Sequence, residues 1–111
     1  MSRRRRIALT LALVVAWPAA GAQPAPDAAE AGRKLYVSSC LRCHGIELAT
    51  NGIGFDLRTF PRNEKERFVR SVNEGVRAMP AWRTTLKPEQ LELLWIYLGA
   101  VNGWEATPAP R

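Results

Sequence analysis

Apolar residues in the last third of the chain fall at Leu91, Leu94, Trp95, Leu98 and Val101, the i, i+3, i+4, i+7 spacing of one helical face. Pro88 sits at a first-turn position, Glu89 suits the positive end of the helix dipole, and Gly103 supplies a stop. A second, shorter face is drawn by Phe68, Val69 and Val72 and ends at Gly75. Asn63, with Glu66 three residues on, predicts a capping-box start for it, and Glu64, Glu66, Arg67 and Arg70 form its solvated side. An earlier alanine-rich stretch predicts a first helix capped by Asp27 and running to about Cys43, with Gly45 as a left-handed stop. Residues 45–62 carry Gly45, Gly52, Gly54 and Pro61, which predicts a loop that wraps and not a regular element. There is no strand alternation and no internal repeat. The pattern predicts an all-α domain of three helices.

The two ends read differently. Four arginines at 3–6 precede an eleven-residue apolar run at 7–17, Pro18 breaks it, and Ala20-Gly21-Ala22 offers small residues ahead of Gln23. That is the form of a secretory signal peptide over residues 1–22, cleaved near Ala22, and it predicts export to the periplasm. The run is short beside the roughly 20 residues needed to span a bilayer, so no stable membrane insertion is expected after cleavage. Residues 106–111 hold two prolines and no pattern, and are expected to be a disordered tail. One domain, 23–105, lies between.

Removing the signal changes the charge argument. The whole chain has 16 basic and 10 acidic residues; without Arg3, Arg4, Arg5 and Arg6 the balance is 16 − 4 = 12 against 10, or +2. Nucleic-acid binding loses its support, and strong electrostatic steering of a partner is not expected. About 89 residues remain (111 − 22), enough for a single thin core.

The chemistry lies in Cys40-Leu41-Arg42-Cys43-His44. Cysteines at i and i+3 share a helical face, and Cys-x-x-Cys-His is the pattern that attaches a haem covalently, with the histidine as proximal iron ligand. A redox dithiol would belong near a βαβ pattern, and a zinc site needs about four N/S ligands where this chain offers Cys40, Cys43 and His44. A disulfide between Cys40 and Cys43 would close too short a loop to stabilise much. His44 is the only histidine, and Met1 lies in the signal, so Met79 is the one thioether left as a second axial ligand. Pro80 after it restricts the Met79 backbone. Gap-filling in the core is the alternative role for Met79, and with it a five-coordinate iron that would bind a gas or peroxide.

Taken together these residues resemble a small class I cytochrome c. Gly32 and Tyr36 precede Cys40-Leu41-Arg42-Cys43-His44-Gly45, Met79-Pro80 follows a short helix, and Leu94 with Tyr97 falls in the last helix. The resemblance implies a cytochrome c-like fold wrapped around one haem c, with the first and last helices crossing at Gly32 and with Tyr36, Leu94 and Tyr97 filling that crossing. The run Phe55-Asp56-Leu57-Arg58, Phe60-Pro61, Phe68-Val69, Gly75 and Met79-Pro80-Ala81-Trp82 is similar to periplasmic cytochromes associated with quinoprotein alcohol dehydrogenases. It implies a monomeric electron carrier that is not itself an enzyme. Its donor would be a quinoprotein dehydrogenase and its acceptor a terminal oxidase or another cytochrome; a dedicated haem subunit of such a dehydrogenase is the alternative. Phe55 and Leu57 are candidates for packing on the haem face, Ile53 for touching its edge, and Arg58 and Trp82 for donating to a propionate. Core packing for Phe55, Leu57 and Trp82, and a solvated Arg58, are the competing roles.

Overall fold

In a computed structural model of the chain, residues 10–16 and 26–104 are described. The signal-peptide cleavage point and the tail at 106–111 lie outside them. Four helices form the frame: α1, Pro26–Ser39; α2, Leu41–His44; α3, Lys65–Glu74; and α4, Pro88–Asn102. Short 3-10 turns at Ile46–Leu48 and Leu57–Thr59 interrupt the wrapping segment. Among the described residues there is no strand, only an isolated bridge between Val76 and Met79. None of their helices is long and apolar enough to cross a membrane.

The all-α expectation holds, and three details of it change. The first helix is bent at Cys40 (φ −116°), so Cys43 and His44 lie on a separate single turn. Asp27 stands inside the first turn, because the helix already begins at Pro26. Asn63 does not cap α3: the Glu64 N–H bonds to the Pro61 carbonyl at 3.2 Å, which places Asn63 in a turn, and the helix starts at Lys65. By contrast α4 begins and ends as its sequence predicts. The Lys87 N–H donates to the Gln90 side-chain oxygen at 2.8 Å, Pro88 is in the first turn, and Gly103 takes the left-handed conformation at φ 69°.

The core is the crossing of α1 and α4. A Cβ on Gly32 would stand 2.0 Å from the Leu93 carbonyl oxygen, so the two backbones touch where the side chain is missing. One turn on, the Tyr36 and Tyr97 rings meet with centroids 5.3 Å apart. Tyr36 and Leu94 are each 1 % exposed, and burying a side chain of this kind contributes about 1.5–3 kcal/mol. The third helix is held by aromatic contacts: Phe68 lies 5.3 Å from Trp95 and 6.1 Å from Phe60. Trp104 closes the end of α4, its ring packing 4.7 Å from that of Trp95 while its main-chain N–H donates to the Gly99 carbonyl.

Candidate haem-binding site

The bend at Cys40 brings Cys40, Cys43 and His44 together on one turn. Both cysteines are free thiols. Cys40 is half-buried, and burial, reinforced by the neighbouring Cys43, pushes its thiol up to about 11. Cys43 is exposed. Cys40 is therefore held as the protonated thiol at neutral pH.

His44 ends the turn, and its Nδ1 lies 2.8 Å from the main-chain oxygen of Phe55. A carbonyl can only accept, so Nδ1 carries the proton and Nε2 keeps its lone pair for a metal. Sequence reasoning requires such an acceptor but cannot name it, because it belongs to the main chain and not to any residue type.

The segment that delivers this carbonyl is tied directly to α2. The Gly54 N–H donates to the Cys43 carbonyl at 2.7 Å. Asn51 donates its side-chain amide to the Arg42 carbonyl at 2.9 Å and accepts the Ile53 N–H at 3.1 Å. Thr50 donates its hydroxyl to the Gly54 carbonyl at 2.6 Å and accepts the Gly52 N–H. The Gly54 and Asn51 donors satisfy carbonyls at the end of α2 that have no helical partner of their own, and the other bonds brace the loop itself. A Cβ on Gly54 would lie 2.8 Å from both the Cys43 oxygen and His44 Nδ1, so this close approach requires glycine.

The other flank is built from Gly45, whose φ of 84° turns the chain after His44. Tyr36 donates its hydroxyl to the Gly45 carbonyl at 2.7 Å, linking the helix crossing to the motif. Burial pushes the Tyr36 hydroxyl far above its ordinary range, so it remains a donor. Glu47 and Leu48 follow with φ of 49° and 67°, a strained conformation for residues with a Cβ. Leu48 is fully buried there. Arg58 holds that strained stretch: its Nε donates to the Glu47 carbonyl at 2.9 Å, and its guanidinium lies 3.8 Å from the Glu47 carboxylate. Arg58 keeps about half of its side chain in solvent while making these local contacts.

Met79 is held elsewhere, on the turn after α3. Val76 and Met79 exchange backbone hydrogen bonds of 3.2 and 2.9 Å, and the Trp82 N–H returns to the Val72 carbonyl at 2.8 Å. Met79 is half-buried, and with Cys40, Leu41, Leu57 and Trp82 it packs against the common core. Phe55 and Ile53 do not join that core; with Ile46 they are 58 %, 73 % and 72 % exposed. Three large apolar side chains left exposed in the segments that follow the motif, with an imidazole whose Nε2 is free to bind a metal, fit a flat apolar group that binds iron. The two rival chemistries find no frame: among the described residues there is no βαβ unit, and no cluster of three or more His, Cys, Asp or Glu could hold a metal ion.

Comparison with known proteins agrees with this chemistry. A family model described as cytochrome C oxidase, cbb3-type, subunit III, matches residues 27–98. The chain is 34 % identical over 77 residues to quinohemoprotein alcohol dehydrogenase ADH IIB of Pseudomonas putida, covering 67 % of this chain and 11 % of that protein. It is 33 % identical over 82 residues to cytochrome c550 of Pseudomonas aeruginosa, covering 68 % of this chain and 57 % of that one. To cytochrome c6 of Nostoc sp. it is 29 % identical over 72 residues, 60 % of this chain and 65 % of the relative. The chain thus spans about a tenth of the dehydrogenase and just over half of cytochrome c550. No solved structure matches the chain significantly. The match over 27–98 coincides with the helices and the motif they carry, and the chain belongs to the class I c-type cytochromes.

Proposed function

We propose that the chain is a periplasmic one-electron carrier with a single haem c attached through Cys40 and Cys43 and axially held by His44 and Met79. The observation that carries this reading is the 2.8 Å contact from His44 Nδ1 to the Phe55 carbonyl, which leaves Nε2 as the metal-binding nitrogen. When bound, the haem supplies a one-electron iron couple, and its potential is set by ligands, burial and hydrogen bonds.

The chain's own residues account for the rest. Cys40 and Cys43 fix the attachment edge, and the Phe55 carbonyl fixes the tautomer and ring plane of His44. The Val76–Met79 turn restrains the Met79 backbone. Leu48 and the Tyr36–Tyr97 pair exclude water behind the motif. Ligands held this firmly move little between two charge states, which keeps reorganisation small. No residue here is assigned to binding or transforming a substrate.

The similarity to a quinohemoprotein alcohol dehydrogenase supports a quinoprotein dehydrogenase as electron donor, here a separate protein, with a terminal oxidase or another cytochrome as acceptor. Near-neutral charge after signal removal supports docking through apolar surface.

The test is the absorption spectrum of the protein expressed with a haem-attachment system. A sharp reduced α band and a ferric sulfur-to-iron charge-transfer band are expected. Met79→Ala should abolish the sulfur band and lower the potential; an unchanged spectrum in that variant would overturn the ligand assignment. Rapid carbon monoxide binding by the reduced, unmutated protein would favour the open-site alternative.

A further inference from the structure

Asn51 is not one of the proposed ligands, yet it uses both ends of its amide at the point where the loop meets the haem motif. We propose that Asn51 is a positioning residue that sets the reduction potential by holding the Phe55 carbonyl against His44 Nδ1. The inference rests on His44 serving as the iron ligand.

The argument is geometric. The Asn51 amide nitrogen reaches across to the Arg42 carbonyl at 2.9 Å, while its oxygen accepts the Ile53 N–H at 3.1 Å. The first bond ties the loop to α2, and the second sets the loop's own turn. Two residues past Ile53 stands the Phe55 carbonyl, 2.8 Å from His44 Nδ1. The only other direct bond from residues 50–54 to α2 is main chain to main chain, from the Gly54 N–H to the Cys43 carbonyl. Within residues 50–54, Asn51 is therefore the one side chain that bonds α2 directly, while Thr50 braces the loop only against itself. A hydrogen bond from Nδ1–H to a well-placed acceptor makes the imidazole a stronger donor to its metal, which favours the oxidised iron. Loosening the register weakens that bond, so the potential rises.

Asn51→Ser separates the two functions. A serine oxygen can still accept the Ile53 N–H and keep the turn, but it is too short to reach the Arg42 carbonyl. Two quantities are read on haem-loaded protein: solvent exchange of the His44 Nδ1 proton in the reduced state, followed by NMR, and the midpoint potential. Exchange is expected to quicken by about tenfold, from the more frequent opening of a bond of ordinary strength. The potential is expected to rise by the equivalent of about a threefold change in the oxidised-to-reduced ratio, roughly 30 mV for one electron. Unchanged exchange overturns the proposal, whether or not the potential moves, and so does faster exchange with an unchanged potential. Where Asn51→Ser loads no haem, Asn51→Asp keeps the residue's shape but replaces the donor with a charged carboxylate oxygen, and because that charge shifts the potential in its own right the exchange rate alone decides. A spectrum without the sulfur band in the unmutated protein would instead count against the electron-carrier reading.

Discussion

Gly32 and Gly54 sit in close contacts of opposite character. At Gly32 the absent side chain lets α1 rest on the backbone of α4, beside the buried Tyr36, Leu94 and Tyr97. At Gly54 the absent side chain lets an exposed loop rest on α2, and everything nearby is a hydrogen bond. The first contact holds up the frame; the second aims one nitrogen. Burial supplies energy without direction, whereas hydrogen bonds supply direction at modest net energy. A site that must orient an imidazole is accordingly built from the second kind on top of the first.

Substituting both glycines separates these roles. Gly32→Ala should cost more than about 3 kcal/mol of unfolding free energy, since the new methyl meets main-chain atoms that cannot step aside. Denaturant unfolding of the haem-loaded protein measures it, and a loss under 1 kcal/mol would mean that the helices slide past one another freely. Gly54→Ala should cost less, about 1–2 kcal/mol for one or two hydrogen bonds. It should also speed exchange of the His44 Nδ1 proton, which Gly32→Ala leaves unchanged in whatever fraction stays folded. Equal effects of the two substitutions on His44 would erase the distinction.

Tyr36 joins the two regions, so Tyr36→Phe tests the joint. The ring stays against Tyr97, but the buried Gly45 carbonyl loses its donor, and a loss of about 1–2 kcal/mol is expected without a change in the sulfur band. The smallest effect belongs to neither region. Lys65 and Glu92 pair between α3 and α4 with both side chains about half exposed, and Glu92→Gln should change stability by less than about 0.5 kcal/mol. A larger loss that disappears in high salt would show that the third helix depends on charge more than on Phe68 and Trp95.

The division also explains what the sequence discloses. The frame was legible because apolar spacing reports burial directly: Leu91, Leu94 and Leu98 are buried, as are Phe68 and Val72 on α3. The pairing of Gly32 with the last helix, and of Tyr36 with Tyr97, follows the cytochrome resemblance and stands in the structure. The attachment motif was legible because its residue types have few other uses at that spacing. The aiming apparatus was not. Its acceptor at Phe55 is a main-chain oxygen, and Asn51 and Thr50 read as ordinary loop residues. The bond from Arg58 to the Glu47 carbonyl was equally hidden, because its acceptor is again a main-chain oxygen, on a left-handed residue whose type does not announce that conformation. The misplaced cap at Asn63 has a similar origin, since Pro61 spends the following residues on a turn.

The spacing of these contacts along the chain has a consequence for the order of assembly. His44 and the carbonyl of Phe55 are 11 residues apart, a loop that closes rapidly as soon as both have emerged. Gly32 and Leu93 are 93 − 32 = 61 residues apart, and their contact waits for nearly the whole domain. A chain appearing N-terminus first can therefore present a formed Cys40–Phe55 hairpin of helix and loop while α4 is still missing. The turn that carries His44 rests on contacts local in sequence, whereas the frame behind it rests on contacts that span the domain.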